Sequence, residues 1–141
     1  MLKLLFLDQD KDDLILVKEL LGKEQFEINT IDHPSMVFEL TAITGNVPDV
    51  VIMNFRLPVL SSWELIGAIK NHPLLHRVVI IVLSLIDPVL MERSGLLADA
   101  DAIILKPFSF EEYPVFLQRL KSVILNKVSI ERNRVRKDIR L

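Results

Sequence analysis

The chain has no cysteine among its 141 residues, which removes disulfide frameworks, thiolate zinc sites and cysteine nucleophiles and fits a reducing compartment. Glycine is nearly as scarce, with four residues at Gly22, Gly45, Gly67 and Gly95, so no glycine-rich loop is present to cradle a nucleotide's phosphates. A membrane span is missing too. The apolar opening, Leu2 to Leu7, is too short to cross a bilayer, and it runs into Asp8, Asp10, Asp12 and Asp13 instead of a small-residue cleavage site. The three histidines, His33, His72 and His76, lack metal-ligand spacing and read as surface residues. The expectation is a soluble, cytoplasmic protein.

What is present is a large apolar fraction, half of all residues, enough for one compact core and too little chain for a second large domain. The net charge is −2, but it is unevenly placed. From Asn126 onward Lys127, Arg132, Arg134, Arg136, Lys137 and Arg140 face only Glu131 and Asp138, giving +4, so the first 125 residues carry −6. An acidic body with a basic terminal segment is expected, the segment being suited to an acidic partner or nucleic acid.

Apolar runs of strand length alternate with segments of helical period, the pattern of βα units around a parallel sheet. Strands are expected near Lys3–Leu7, Phe26–Ile31, Val50–Met53, Val78–Leu83 and Ala102–Leu105. The first helix starts about Lys11, capped by Asp10 and stopped by Gly22, with Leu14, Ile15, Val17, Leu20 and Leu21 inward. Pro34 pre-sets the second helix, which ends near Gly45. A third begins near Ser61 or Ser62 and uses Trp63, Leu65, Ile66 and Ile69, with Trp63 at the core or its rim. A weaker fourth starts at Pro88 with Val89, Leu90 and Met91. Ser109 and Glu112 form a capping box for the fifth, whose inner face is Phe116, Leu117, Leu120 and Ile124. Val128, Val135 and Ile139 continue that stripe, so residues 126–141 either extend the helix as a basic arm or fray.

Within this pattern, Pro48-Asp49-Val50-Val51-Ile52-Met53-Asn54 is a buried strand ending in an amide at the carboxyl edge of the sheet, where open α/β proteins bind ligands. Taken with LLFLDQDKDDL at the start, PDVVIMNFRLP in the middle, VVIIVLS later and LKPFSFEEY near the end, the chain resembles response-regulator receiver domains over about its first 125 residues. The resemblance implies a doubly wound, flavodoxin-like sheet of order 2-1-3-4-5 with five flanking helices. It also implies a place in two-component (phosphorelay) signalling, with a histidine kinase or output protein as partner, and no enzymatic role.

In that family an acidic pair at the end of the first strand and an aspartate at the end of the third hold Mg²⁺, and the third-strand aspartate becomes an acyl phosphate. The matching positions are Asp8 and Gln9, then Asn54, with Ser84 as the hydroxyl, Lys106 before Pro107 as the lysine, and the Arg56 carbonyl as backbone metal ligand. Two of three acids are therefore amides. A neutral carboxamide is a poor nucleophile, and Mg²⁺ is normally anchored by carboxylate. Phosphorylation is expected to fail and the metal site at Asp8, Gln9, Asn54 and Arg56 to be weak or empty, with Asp8 alone facing Lys106 and no other cofactor.

Gln9 and Asn54 are read as buried amides bonded to each other, to Lys106 or to backbone, Lys106 bridging Asp8 and the Asn54 carbonyl. Asp10 caps the first helix, and Asp12 and Asp13 supply its acidic first turn. Ile103 stands where the family often has a switching aromatic, so coupling from Ser84 is expected to be weak. The resulting expectation is a pseudo-receiver acting as a protein-interaction module, its partner on the face of the fourth helix, fifth strand and fifth helix, with a homodimer also open. Two alternatives stay open: a conventional regulator phosphorylated through deamidated Asn54 or another residue, and a binder of nucleic acid or a membrane surface through the basic tail. Nucleic acid is disfavoured, since neither aromatic interleaving nor a helix-turn-helix pattern accompanies the bases.

Overall fold

The computed structural model describes residues 1–21 and 25–139, with side chains to residue 137 in the last helix. Its elements alternate strictly: β1 (Leu2–Leu7), α1 (Lys11–Leu21), β2 (Phe26–Ile31), α2 (Met36–Thr44), β3 (Val50–Asn54), α3 (Ser62–Lys70), β4 (Val79–Ser84), α4 (Pro88–Ser94), β5 (Ala102–Leu105) and α5 (Tyr113–Ile139). A 3₁₀ turn at Phe110–Glu112 precedes α5. The five strands are parallel in the order β2-β1-β3-β4-β5, a flavodoxin-like doubly wound sheet. The winding reverses between β1 and β3, which opens a crevice at their carboxyl ends.

Side chains of a strand alternate between faces, and both faces here are covered. Leu4, Phe6, Val50, Ile52 and Ile81 point to one side and pack on α1 and α5 through Val17, Phe116, Leu120 and Ile124. Leu5, Leu7, Val51, Met53, Ile80 and Val82 point to the other and pack on α3 through Leu65, Ile66 and Ile69. All six residues of β4 are buried, Val79 to Leu83 as an apolar and largely β-branched run requires, and Ser84 with them at the strand's end.

Helix ends follow their local chemistry. Asp10 Oδ1 accepts the amides of Asp12 and Asp13 at 3.0 and 3.3 Å, Ser61 Oγ accepts that of Glu64, and Gly45 closes α2 at φ 69°. The Gly22 stop expected for α1 lies outside the described residues. Two expectations change. Ile15 and Leu20 are exposed, because successive helical residues turn by about 100° and both fall off the stripe of Leu14, Val17 and Leu21. Ser109 makes no side-chain cap, and Glu112 instead accepts the amide of Phe108 at 3.2 Å, since the intervening 3₁₀ turn shortens the spacing a capping box needs. Of the two readings open for residues 126–141, the described residues follow the helical one: α5 continues unbroken to Ile139, with Val128 still inside the core.

Candidate functional site

Strand register builds the site. Leu7 is paired with Met53, so Asp8, the next residue, comes beside Asn54; Asn54 is paired with Leu83, and Ser84 with Leu105, which brings Lys106 alongside. Asp8, Asn54, Ser84 and Lys106 thus share the carboxyl edge at the switch point. Asp8 is 3 % exposed and Ser84 1 %.

Asn54 is bonded at both ends of its amide. Its Nδ2 donates to Asp8 Oδ1 at 2.6 Å, and its Oδ1 accepts from Lys106 Nζ at 3.3 Å. Charge fixes this orientation, since a flipped amide would set its NH₂ against the ammonium. Lys106 Nζ also donates to Asp8 Oδ2 at 2.8 Å, so it bridges Asp8 and the Asn54 carbonyl. The remaining capacity of Asp8 Oδ1 is taken by the amide of Asp10 at 3.0 Å.

A further acid enters, one whose place in the first turn of α1 predicts no part in the site. Asp13 Oδ2 lies 2.8 Å from Lys106 Nζ, and Asp13 Oδ1 accepts the Tyr113 hydroxyl at 2.7 Å. The expectation that Asp8 alone faces Lys106 is therefore corrected: two carboxylates meet one ammonium, and the cleft keeps an excess negative charge. The reason lies in the cap. Asp10 holds the first turn of α1 so that Asp13 lies one turn before the buried Val17, on the edge of the inward stripe, where its short side chain reaches across to α5. Burial pulls the Lys106 ammonium down, but hydrogen bonds and charges from Asp13 and Asp8 outweigh it and hold the group above its ordinary 10.5. Tyr113 is pushed well above its usual 10.0, by burial first and then by its bond to the Asp13 carboxylate.

Other positions separate from this cluster. Gln9 is exposed, not buried as expected, because the chain has left β1 after Leu7 and bends at this residue. Arg56 is also exposed. Ser84 Oγ accepts the amide of Ile86 at 3.0 Å, which ties it to its own loop. Ile103 is half-buried against the α3-side core. Ser62, at the first position of α3, is fully buried and its Oγ has no partner among the described residues. His33, His72 and His76 all sit in turns, where His33 Nδ1 meets Ser35 and His72 Nδ1 accepts the amide of Leu74.

The donor set is a poor match for Mg²⁺. Both Asp8 oxygens already accept bonds, one of them from an ammonium at 2.8 Å, and the Asn54 oxygen faces that same ammonium. A divalent cation here would have to displace Lys106 while gaining only Asp8 as a carboxylate from the three matching positions. Beside the cluster, a cleft of about 250 Å³ opens between Asn54, Arg56, Ser84, Leu85, Ile86 and Lys106.

An open parallel sheet of this order, with acid, amide, hydroxyl and lysine gathered at its switch point, is a flavodoxin-like α/β domain of the signalling type. The response regulator receiver domain family matches residues 4–118, and the chain belongs to that family. It is 25 % identical over 118 residues to the transcriptional regulatory protein SpaR of Bacillus subtilis, a match over 79 % of this chain and 48 % of SpaR, so the chain spans about half the length of that relative. Its fold superposes on a response regulator receiver domain protein from Clostridium thermocellum with TM-score 0.70, 23 % identity and full coverage of both chains. It likewise superposes on the response regulator TrrA of Thermotoga maritima, solved in complex with Mg²⁺-BeF, with TM-score 0.64 and 26 % identity over 87 % of this chain and 99 % of the other. Receiver domains are signalling modules that interact with histidine kinases and output proteins. Among the described residues no helix is long and apolar enough to cross a membrane.

Proposed function

We propose that this chain is a phosphorylation-independent receiver, working in the cytoplasm as a docking module of two-component signalling. The observation that carries the reading is Asn54, an amide at the phosphoacceptor position whose two polar atoms are both engaged, by Asp8 and Lys106. A carboxamide oxygen lacks the charge that lets a carboxylate attack phosphorus. Phosphoryl transfer further relies on metal charge to neutralise the developing anion, and the ammonium of Lys106 occupies the oxygens a metal needs. The network of Asp8, Asp13, Asn54, Lys106 and Tyr113 then holds one conformation where relatives switch between two.

Docking on α4, β5 and α5 is supported by the exposed apolar residues Val89, Leu90, Leu105 and Val115, more than a monomer's solvated face requires. The body, residues 1–125, carries this face, and residues 126–141 form an accessory basic extension. Incubation with acetyl phosphate and Mg²⁺ followed by intact mass tests the reading. The unmodified chain is expected to show no phosphoryl adduct; a stoichiometric adduct overturns it. In parallel, Asn54→Asp combined with Gln9→Asp is expected to gain Mg²⁺ affinity by titration, and unchanged affinity would place the loss in the geometry set by Asp13 and Lys106 and not in charge alone.

A further inference from the structure

We infer that copies of this chain associate head to tail, the basic end of α5 from one copy seating in the groove between α1 and the β5–α5 connection of the next. That groove holds about 680 Å³ and combines a rim of exposed acids, Asp10, Asp12 and Glu19, with exposed apolar side chains, Ile15, Phe108 and Phe110. Phe108 and Phe110 are 73 and 75 % exposed, unusual for aromatic rings flanking a concave surface. Lys106 at its floor is already bonded to Asp8 and Asp13, so the charge the rim presents is negative.

The complement lies on the same chain. Past Val128, the last core residue of α5, the helix carries exposed Arg132, Arg134, Arg136 and Lys137. Ile130, Arg134 and Lys137 stand at i, i+4 and i+7, one helix face with an apolar anchor and two bases. Ile130 is 54 % exposed. Arg134 has an i,i+3 ion pair to Glu131, a surface contact weak enough to yield.

Geometry decides that the match is intermolecular. Tyr113, which lines the groove, is the first residue of α5, and the helix is continuous from there to Ile139. At 1.5 Å per residue Arg134 lies about 30 Å along the axis from Tyr113, with the sheet beside the intervening turns. The tail therefore cannot reach its own groove. Two different surfaces joined this way make a heterologous contact, which propagates to further copies or closes into a ring. The groove shares Asp13, Lys106 and Tyr113 with the cluster around Asn54 but does not include Asn54 itself, so changes at its acidic rim leave the phosphoacceptor position untouched.

Sedimentation velocity on the full chain tests it. At low salt the weight-average mass is expected to rise with concentration above that of one chain, and to return to it near 1 M salt, where screening length falls to about 3 Å. Arg134→Glu with Lys137→Glu, and separately Asp12→Lys with Glu19→Lys, should each give a monomer with unchanged far-UV circular dichroism. An equimolar mixture of the two variants should associate again, because each reversed surface now complements the other. A wild type that stays monomeric at every concentration, either variant associating alone as the wild type does, or a mixture that remains monomeric would each overturn the proposal.

Discussion

On the α1 side of the cleft, Asp8, Asp13, Asn54, Lys106 and Tyr113 form a closed set in which each polar group meets another. On the β4 side, Ser84 is tied to its own loop, and Leu85 and Ile86 stand exposed over open space. Both walls start from strand ends of one sheet, but the closed one recruits Asp13 from α1 and Tyr113 from α5. The comparison teaches that the residues which depart from the family pattern did not leave a hole: an amide from β3 and an acid from α1 satisfied the lysine instead.

The largest expected effect comes from breaking the closed wall at its centre. Lys106→Met leaves Asp8 and Asp13 facing each other without a cation, one of them almost fully buried, and is expected to cost about 3–5 kcal/mol in urea unfolding. Asp13→Asn keeps the shape, but removes a charge partner of Lys106 and weakens the acceptor for Tyr113. Because this side chain is partly exposed, a loss of about 1–2 kcal/mol is expected. Ser84→Ala, on the open wall, should cost less than either. Equal losses on the two walls would erase the contrast.

Alkaline titration sharpens the comparison. Lys106 and Tyr113 both have folded-state values raised above their ordinary 10.5 and 10.0, so the stability they contribute is complete below about pH 10 and is lost as pH climbs toward the raised values. Unfolding free energy measured between pH 9 and 12 should fall for the wild type, and fall less for Asp13→Asn; parallel curves would mean that the closed wall adds nothing. The smallest effect lies outside both walls. Val59, 88 % exposed, holds φ 72° while the amide of Leu60 bonds the Pro58 carbonyl at 2.8 Å, a tight turn that a β-branched residue adopts under strain. Val59→Gly is expected to raise stability by about 1 kcal/mol and the melting temperature by about 3 °C.

The central strands were readable because burial on both faces calls for nearly continuous apolar, β-branched runs, which Val50 to Met53 and Val79 to Leu83 supply. Asp8, Asn54 and Lys106 were readable because the receiver resemblance marks their positions, and each directly ends or follows a strand, so register brings them together. Asp13 was not, since an acid in the first turn of a helix already has a sufficient explanation in the helix dipole. Its partner Tyr113 lies 100 residues away in sequence, and no local pattern links the two. The available signal was its i,i+4 spacing from Val17, an inward residue. The inner face of α1 was drawn too wide for the same reason: Ile15 and Leu20 are apolar, yet apolarity without phase does not locate a core.

The unbroken course of α5 gives the molecule a lever. Its 27 residues make a rod about 40 Å long, seated on the core from Tyr113 to Val128, so that roughly 16 Å of helix runs on past the last core residue. Any shift of the seated half is carried to that projecting end, because no break in the helix absorbs it.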